Sequence, residues 1–305
     1  MTTDLTGRIG LGTGALGFTI DKETSFRMLD TFLDRGGRIV DTAHIYSDWA
    51  PGERGRSEKT LGEWLAATGR RNDIFLVTKG AHPVPGNPAS RLDPASIRSD
   101  IEQSLKRLGT DRIDLYLLHR DDRTRPVADI MGVLDEYVQR GVLLTVGCSN
   151  WRPDRIAEAR RMVGGKLAAT QILGNVLSKH MNPLGDTTLV NLDDEALRQA
   201  RQLDLMLMLF TSQAQGALTK LERGLPPDYD NEACRAAIRQ LQAVAVATGI
   251  DINALGLAYL LQLTPRTVPV VGPKTLVQLE QSLAAGSVEL DAATLAAVAE
   301  ISGIA

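Results

Sequence analysis

The chain has 305 residues, 43% of them hydrophobic, enough for one large core and somewhat more than the ~250 residues of a typical strand-helix barrel. A formal net charge of -3, with both signs scattered, offers no basic stripe for nucleic acid and no polybasic membrane patch, so the expected partner is a small molecule. With only Cys148 and Cys234, no basic-then-apolar leader and no apolar run of bilayer-spanning length, the sequence reads as a cytoplasmic protein without disulfides.

Short apolar runs of β character alternate with longer amphipathic segments from end to end. Strands are expected at residues 9–12, 38–41, 74–79, 113–119, 143–149, 168–172, 205–210 and 268–271, most of them apolar on both faces, as parallel strands under helices should be. Apolar residues at helical spacing fill the intervals, and Asp93-Pro94, Arg125-Pro126 and Arg152-Pro153 mark helix starts. Further helices are expected from about Thr275 and about Asp291, the second an appendage to a minimal barrel. Eight strand-helix units without a linker, low-complexity segment or short repeat predict one α/β domain over residues 1–305, a closed (β/α)8 TIM barrel. The segments 42–55, 80–92, 173–192 and 211–229 follow strands and are long enough to hold a site.

A rival pattern opens the chain. Gly12-Thr13-Gly14-Ala15-Leu16-Gly17 matches G-x-G-x-x-G, a helix follows, and Asp41 ends the next strand where a ribose-binding acid belongs. Against a Rossmann dehydrogenase stand the short preceding run Arg8-Ile9-Gly10-Leu11, poor in Val and Ile, and the eight-unit count that continues past it. The plainer reading is a tight turn whose backbone lies close to whatever binds at the rim.

Four apolar runs stop on residues able to do chemistry: Asp41, Lys79, His119 and the pair Ser149-Asn150. In such barrels functional groups collect at the carboxyl ends of several strands, so these residues converge although far apart in sequence. Tyr46 follows Asp41 by five residues. A phenol of pKa ~10 is a reluctant acid, and a cation within hydrogen-bonding range lowers such a value by ~1–3 units, a role for Lys79. Asp41 would keep Lys79 charged, and His119 would orient a carbonyl oxygen beside the tyrosine. A polarised carbonyl with a proton donor is what hydride addition requires. Taken singly, each residue has a plain alternative as a cap, a solvated lysine, a packing ring or a structural histidine; the joint placement on strands 2, 3 and 4 makes the case. His44, His82, His119 and His180 show no pairing at ligand spacing, so no metal site is expected.

The order and spacing of these motifs resemble the aldo-keto reductase superfamily. The resemblance runs from Gly10-Leu11-Gly12-Thr13 through Asp41-Thr42-Ala43-His44-Ile45-Tyr46, Gly55-Arg56-Ser57-Glu58 with Leu61-Gly62, and Val77-Thr78-Lys79. It continues through Leu105-Lys106-Arg107-Leu108-Gly109, Asp114-Leu115-Tyr116-Leu117-Leu118-His119 and Gly147-Cys148-Ser149-Asn150 to Val270-Val271-Gly272. It implies a nicotinamide cofactor, usually NADPH, held across the barrel mouth without a Rossmann fold, and a tetrad of Asp41, Tyr46, Lys79 and His119 with Tyr46 as acid in reduction and base in oxidation. It further implies that Ser149, Asn150 and Gln171 hold the carboxamide and Phe210 stacks on the nicotinamide ring, with Gly12, Thr13 and Asp41 close by. Thr211, Ser212 and the backbone from Gln213 through Gly216 to Leu218 fall to the pyrophosphate, and Gly272, Lys274 and Thr275 to the 2'-phosphate, with Gln278, Gln281 and Ser282 at the adenine end.

The chain departs from the family pattern at several of these places. Phe210 stands where Tyr is common, which keeps a ring face and loses a hydroxyl. Thr211-Ser212-Gln213-Ala214 replaces a frequent Ser-Pro-Leu pattern, Gln278 and Gln281-Ser282 replace the usual Arg and Glu-Asn pair, and a shortened segment replaces the N-terminal hairpin. A modest preference for NADPH, resting on Lys274, is therefore expected. Trp49, His82, Arg120 and Trp151 are the candidate substrate contacts. The charged groups that follow His119, Arg120, Asp121 and Asp122, favour a sugar or polyol derivative over a flat aromatic ketone, with small aldehydes or ketones also admitted. Two rivals remain beside an NADP(H)-dependent carbonyl-alcohol oxidoreductase: the Rossmann dehydrogenase, and a cofactor-binding regulatory subunit without catalysis.

Overall fold

The computed structural model describes residues 5–49 and 52–304. Along the chain the elements are β1 (Gly10–Gly12), α1 (Lys22–Asp34), β2 (Ile39–Asp41), α2 (Arg56–Thr68), β3 (Phe75–Gly80), α3 (Pro94–Leu108), β4 (Ile113–Leu118), α4 (Val127–Gln139) and β5 (Leu143–Ser149). They continue with α5 (Pro153–Val163), β6 (Leu167–Leu173), α6 (Asp194–Gln202), β7 (Met206–Phe210), α7 (Glu232–Thr248), α8 (Ile252–Gln262), β8 (Thr267–Val271), α9 (Leu276–Ala284) and α10 (Ala292–Ser302). The strands pair in parallel in chain order, and β1 closes on β8 through Gly10 opposite Val270 and Leu11 opposite Val271. The expected (β/α)8 barrel is borne out, and a doubly wound Rossmann sheet is overturned by this closure.

The period of two along each strand decides what reaches the rim. Ile39, Val77, Leu115, Leu117, Ala169, Met208, Val268 and Val270 form a cluster of their own inside the barrel. Their neighbours Val40 and Leu76 pack instead in the outer cluster beneath the helices. Counting on by two from the interior residues gives Asp41, Lys79, His119, Gln171 and Phe210, so the same alternation that fills the core aims these side chains into the mouth.

Two glycines of the rival pattern find their explanation here. A side chain on Gly12 would press within 3.2 Å of the Val271 carbonyl oxygen, where β1 and β8 close the barrel. Gly17 has φ +67 and abuts Thr60 of α2. Both serve strand closure and helix packing.

Strand limits differ from the expected ones by a residue or so, because the β pattern of side chains does not mark where the ladder ends. Asp93 caps α3, accepting from the Ser96 amide at 2.9 Å, with Pro94 in the first turn. At Arg125-Pro126 the helix begins one residue later than the proline suggests, and Pro126 itself is the cap position. Between β7 and β8 the chain places two helices, and eight of the eleven residues of α8 are buried, which removes its amphipathic signature. Among the described residues before β1, a 3-10 turn (Thr6–Arg8) closes the lower end, with the Leu5 amide donating to Gly286 O at 2.8 Å. Cys148 and Cys234 are buried free thiols. Among the described residues no single helix is long and apolar enough to cross a membrane.

Candidate active site

Lys79 is fully buried at the end of β3 and makes three hydrogen bonds. Its ammonium donates to Asp41 Oδ2 at 2.7 Å, to the Thr42 carbonyl at 2.8 Å and to Tyr46 Oη at 2.9 Å. An ammonium has three protons, so all are placed. Because Tyr46 Oη accepts from the lysine, the phenol's own proton is left to point elsewhere, towards the cavity that the ring lines. The segment carrying Tyr46 is laid along β3 by two backbone bonds, Thr42 N to Val77 O and His44 N to Lys79 O. Ser47, in the left-handed region at φ 70, turns the chain back and bonds Gly14 O at 3.1 Å.

The charges set the protonation states. Burial alone would lower the Lys79 pKa, but Asp41 and the phenol oxygen beside it raise the balance above the ordinary value, so the ammonium persists. Burial pushes the Tyr46 phenol above its usual range, the Lys79 charge pulls it back, and the net direction is upward. The expected lowering of Tyr46 is therefore overturned for this structure: the sequence argument weighed the cation but not the desolvation. His119 is held well below its ordinary value by burial first and then by Lys79, His82 and Arg120, so it is neutral at pH 7. Its Nδ1 is buried without a partner among the described residues, and its ring lies 5.9 Å, edge-on, from that of Tyr46. A neutral imidazole and an un-ionised phenol thus flank one space.

That space is a cavity of about 760 Å³ whose wall includes Tyr46, His119, Ser149, Asn150, Gln171 and Phe210. Gln171 donates to Asp41 Oδ1 at 2.9 Å, which leaves its carbonyl oxygen for the cavity. The Asn150 amide donates to Ser149 Oγ at 3.1 Å and accepts from the Val190 amide at 3.1 Å, so it also braces the loop after β6. Thr13 is fully buried, bonded to Asp41 O and Ser57 Oγ, and stands outside the cavity wall. It steadies the Asp41 backbone.

The remaining expected cofactor residues form one string from the loop after β7 to α9. Ser212 donates to Val270 O at 2.8 Å, Gln213 to Ser282 Oγ at 3.2 Å, and Ser282 to Gln278 O at 2.8 Å. Thr275 caps α9, and Gln278 Oε1 accepts from the Lys274 amide at 2.8 Å. Thr211 and Gly216 both have positive φ, and the Lys220 stem lies 3.3 Å from where a Gly216 side chain would begin. Gly272, Lys274 and Gln281 are exposed. Leu218 is buried with its side chain against Gly256, so only its backbone is free to meet a ligand. A nicotinamide dinucleotide fits this donor set: a ring face at Phe210, amide and hydroxyl groups at Ser149 and Gln171, and a capped helix N-terminus beside Lys274.

Of the expected substrate contacts, Trp49, His82 and Arg120 line the cavity, Trp49 being 55% exposed at its mouth. Trp151 does not. It is fully buried, donating to Arg120 O at 3.0 Å beneath the Arg155 guanidinium, and so supports Arg120 from behind. Asp121 is bound by Arg155, and Asp122 caps its own turn at Thr124, both away from the cavity wall. His180 bonds Ile301 O. Of the charges behind the expectation of a hydroxylated substrate, Asp121 and Asp122 are thus used within the loop, Arg120 reaches the cavity but is bonded to Thr188 and Asp186, and the rest of the wall is largely apolar: Ile45, Trp49, Val84, Leu189, Phe210 and the prolines after His82.

Two residues carry the site that the sequence reading left without a role. Glu58, fully buried, accepts from Thr78 Oγ1 at 2.7 Å and from Arg107 at 3.2 Å, while Arg107 also holds His44 O at 2.9 Å. This ties the residue before Lys79 to the segment before Tyr46. Both lie within segments that carry the resemblance, but a contact between α2 and α3 leaves no mark in local spacing.

Comparisons agree with this geometry. The family model described as Aldo/keto reductase family matches residues 8–302. The chain is 29% identical to the uncharacterized oxidoreductase YrpG of Bacillus subtilis (strain 168), over 93% of this chain and 88% of the relative. It is 30% identical to norsolorinic acid reductase stcV of Emericella nidulans, over 92% and 72%. It is 26% identical to the aldo-keto reductase yakc [NADP(+)] of Schizosaccharomyces pombe, over 92% and 82%. With a family match across nearly the whole barrel, the chain belongs to the aldo/keto reductase family of oxidoreductases.

Proposed function

We propose that the chain is an NADP(H)-dependent oxidoreductase that interconverts a carbonyl and an alcohol, with Tyr46 as general acid in reduction and general base in oxidation. One observation carries the reading: Lys79 spends its three protons on Asp41, Thr42 and Tyr46, so the phenol accepts one hydrogen bond and keeps its own proton for a ligand. A carbonyl oxygen between Tyr46 and the neutral His119 receives a hydrogen bond from each, and the proton that completes the alcohol comes from Tyr46 Oη. As that proton leaves, the phenolate is stabilised by Lys79, whose charge Asp41 maintains. A nicotinamide held by Ser149, Asn150, Gln171 and the Phe210 ring would supply or accept the hydride. Gln171 links the two parts of the site, since its amide nitrogen holds Asp41 and its carbonyl oxygen is available to the carboxamide.

The choice of NADP(H) rests on Lys274 beside the α9 N-terminus, and a relative whose name carries NADP(+) supports it. Gln278 adds no second cation, so the preference over NADH is modest. The apolar wall supports a carbonyl compound with an apolar body, and not a sugar or polyol. A non-catalytic cofactor-binding subunit is the weaker reading, because it gives no use to a buried lysine placed beneath a phenol. Turnover of simple aldehydes with NADPH tests the proposal. Cofactor consumption dependent on the aldehyde is the expected result, and tight NADPH binding with no NADPH consumed for any aldehyde or ketone and no NADP+ reduced by any alcohol would overturn it.

A further inference from the structure

Seven consecutive residues of the cavity wall, 82–88, come from one loop between β3 and α3. It is rich in devices that stiffen backbone. Pro83, Pro85 and Pro88 fix φ at three places. Val84-Pro85-Gly86-Asn87 closes a turn through Asn87 N to Val84 O at 3.0 Å, with Gly86 at φ 81, and Asn87 Oδ1 then accepts from the Ala89 amide at 3.0 Å. A loop stiff in its middle still moves as a body unless its ends are fixed.

Both ends are fixed by one carboxylate. Asp100, on α3 and fully buried, accepts from the Ala81 amide at 2.8 Å through Oδ2. The same oxygen takes Arg91 Nη1 at 2.8 Å, and Oδ1 takes Arg91 Nη2 at 2.5 Å, a parallel two-bond fork. Arg91 Nη1 also reaches back to His82 O at 3.2 Å, so the end of the loop bonds to its beginning. His44 Nε2, from the segment that carries Tyr46, faces Asp100 Oδ1 at 3.7 Å. Ala81 sits in the left-handed region at φ 61, a conformation that a residue other than glycine holds when its surroundings enforce it. Gly80 beside it has no room for a side chain, being pressed against Tyr116 and Asp100.

We propose that Asp100 and Arg91 are positioning residues that lock the 82–91 loop as a preformed apolar wall, and that this wall selects carbonyl substrates with a flat aromatic body over small aliphatic ones. The proposal rests on the reading of the cavity as a carbonyl-reducing site. Neither residue lines the cavity; they act by removing the ordering cost that binding would otherwise carry. A large planar substrate contacts Val84, Pro85 and Pro88 together with Trp49 and Leu189 and needs the wall in place. A small aldehyde held between Tyr46 and His119 does not.

The test compares the parent protein with Arg91→Met, Arg91→Lys and the double variant Arg91→Met/Asp100→Asn, using 2-naphthaldehyde and propanal as substrates. The double variant guards against unfolding, because it leaves no buried carboxylate unpaired. In a folded variant, hydrogen exchange at amides between residues 82 and 92 should quicken ~10-fold or more while the strands stay protected. KM for 2-naphthaldehyde should rise ~10-fold with kcat nearly kept, and both constants for propanal should stay within ~2-fold. Arg91→Lys, which keeps the cation but loses the fork, should fall between. Unchanged exchange in the loop, or equal losses for the two aldehydes, would overturn the clamp. A parent protein that turns over no carbonyl, alongside a loosened loop in the variants, would sink the assigned reaction and uphold the clamp.

Discussion

Lys79 Nζ lies 2.9 Å from Tyr46 Oη and 4.5 Å from the centre of the same ring, so one buried cation serves both the oxygen and the π face of the phenol. Its other bonds run to Asp41 and Thr42, and no water is needed to complete its coordination.

Removal of that cation should therefore act through the tyrosine. Lys79→Met should lower kcat for carbonyl reduction about as far as Tyr46→Phe does, and the double variant should lose little more, because residues acting as a unit are not additive. Independent, multiplicative losses in a folded double variant would separate the two roles.

The pH dependence has a definite sign. Burial holds the Tyr46 phenol above its usual ~10, so its acid form persists through the neutral range. Reduction should be flat through the neutral range with no limb near pH 6.5 and fall only in strongly alkaline solution, whereas alcohol oxidation, which needs the phenolate, should rise with pH. His119 stays neutral in the fold while its unfolded counterpart protonates below about pH 6.5. The unfolded state then binds more protons, so His119 contributes a loss of stability as pH falls below that value. Thermal melting against pH should show this slope, shallower in His119→Asn. A reduction profile with a limb near pH 6.5 in the parent protein would contradict the neutral histidine.

In the proposed adenine end of the site, Gln278 would be a competitor as well as a missing cation, since its Oε1 already accepts from the Lys274 amide. Gln278→Arg should tighten NADPH about 10-fold and leave NADH nearly unchanged, by one added charge-assisted hydrogen bond. Lys274→Glu should weaken NADPH far more than NADH, with the discrimination shrinking as salt rises. Fluorescence titrations with both cofactors check this without turnover, and an unchanged ratio in either variant would remove these residues from the selection.

How much of this was legible in the sequence follows from what each signal depends on. The barrel and the rim positions of Asp41, Lys79 and His119 rest on strand alternation, which is local, so the residues announce them. Trp151 was misplaced because one position along a loop turns a side chain from the cavity to the core, and no spacing rule fixes that. The pKa direction of Tyr46 depends on how completely the barrel mouth excludes water. The Glu58–Arg107 pair joins α2 to α3 across a long stretch of sequence, and only the packing of the two helices brings it together, whereas Arg91 reaches Asp100 through the path of the loop just before α3, which no strand or helix spacing marks. Cys148 and Cys234 gave no such difficulty, as two thiols in an apolar strand and a helix are simply buried.

The central claim is that Tyr46 supplies the proton, and Tyr46→Phe tests it most directly, because the ring that packs against Trp49 and His119 is kept while the hydroxyl is lost. NADPH affinity and thermal stability should stay close to those of the parent protein, and kcat for aldehyde reduction should fall ~100-fold to 10,000-fold. A folded Tyr46→Phe variant that binds NADPH normally and reduces aldehydes at near the parent rate would contradict the account.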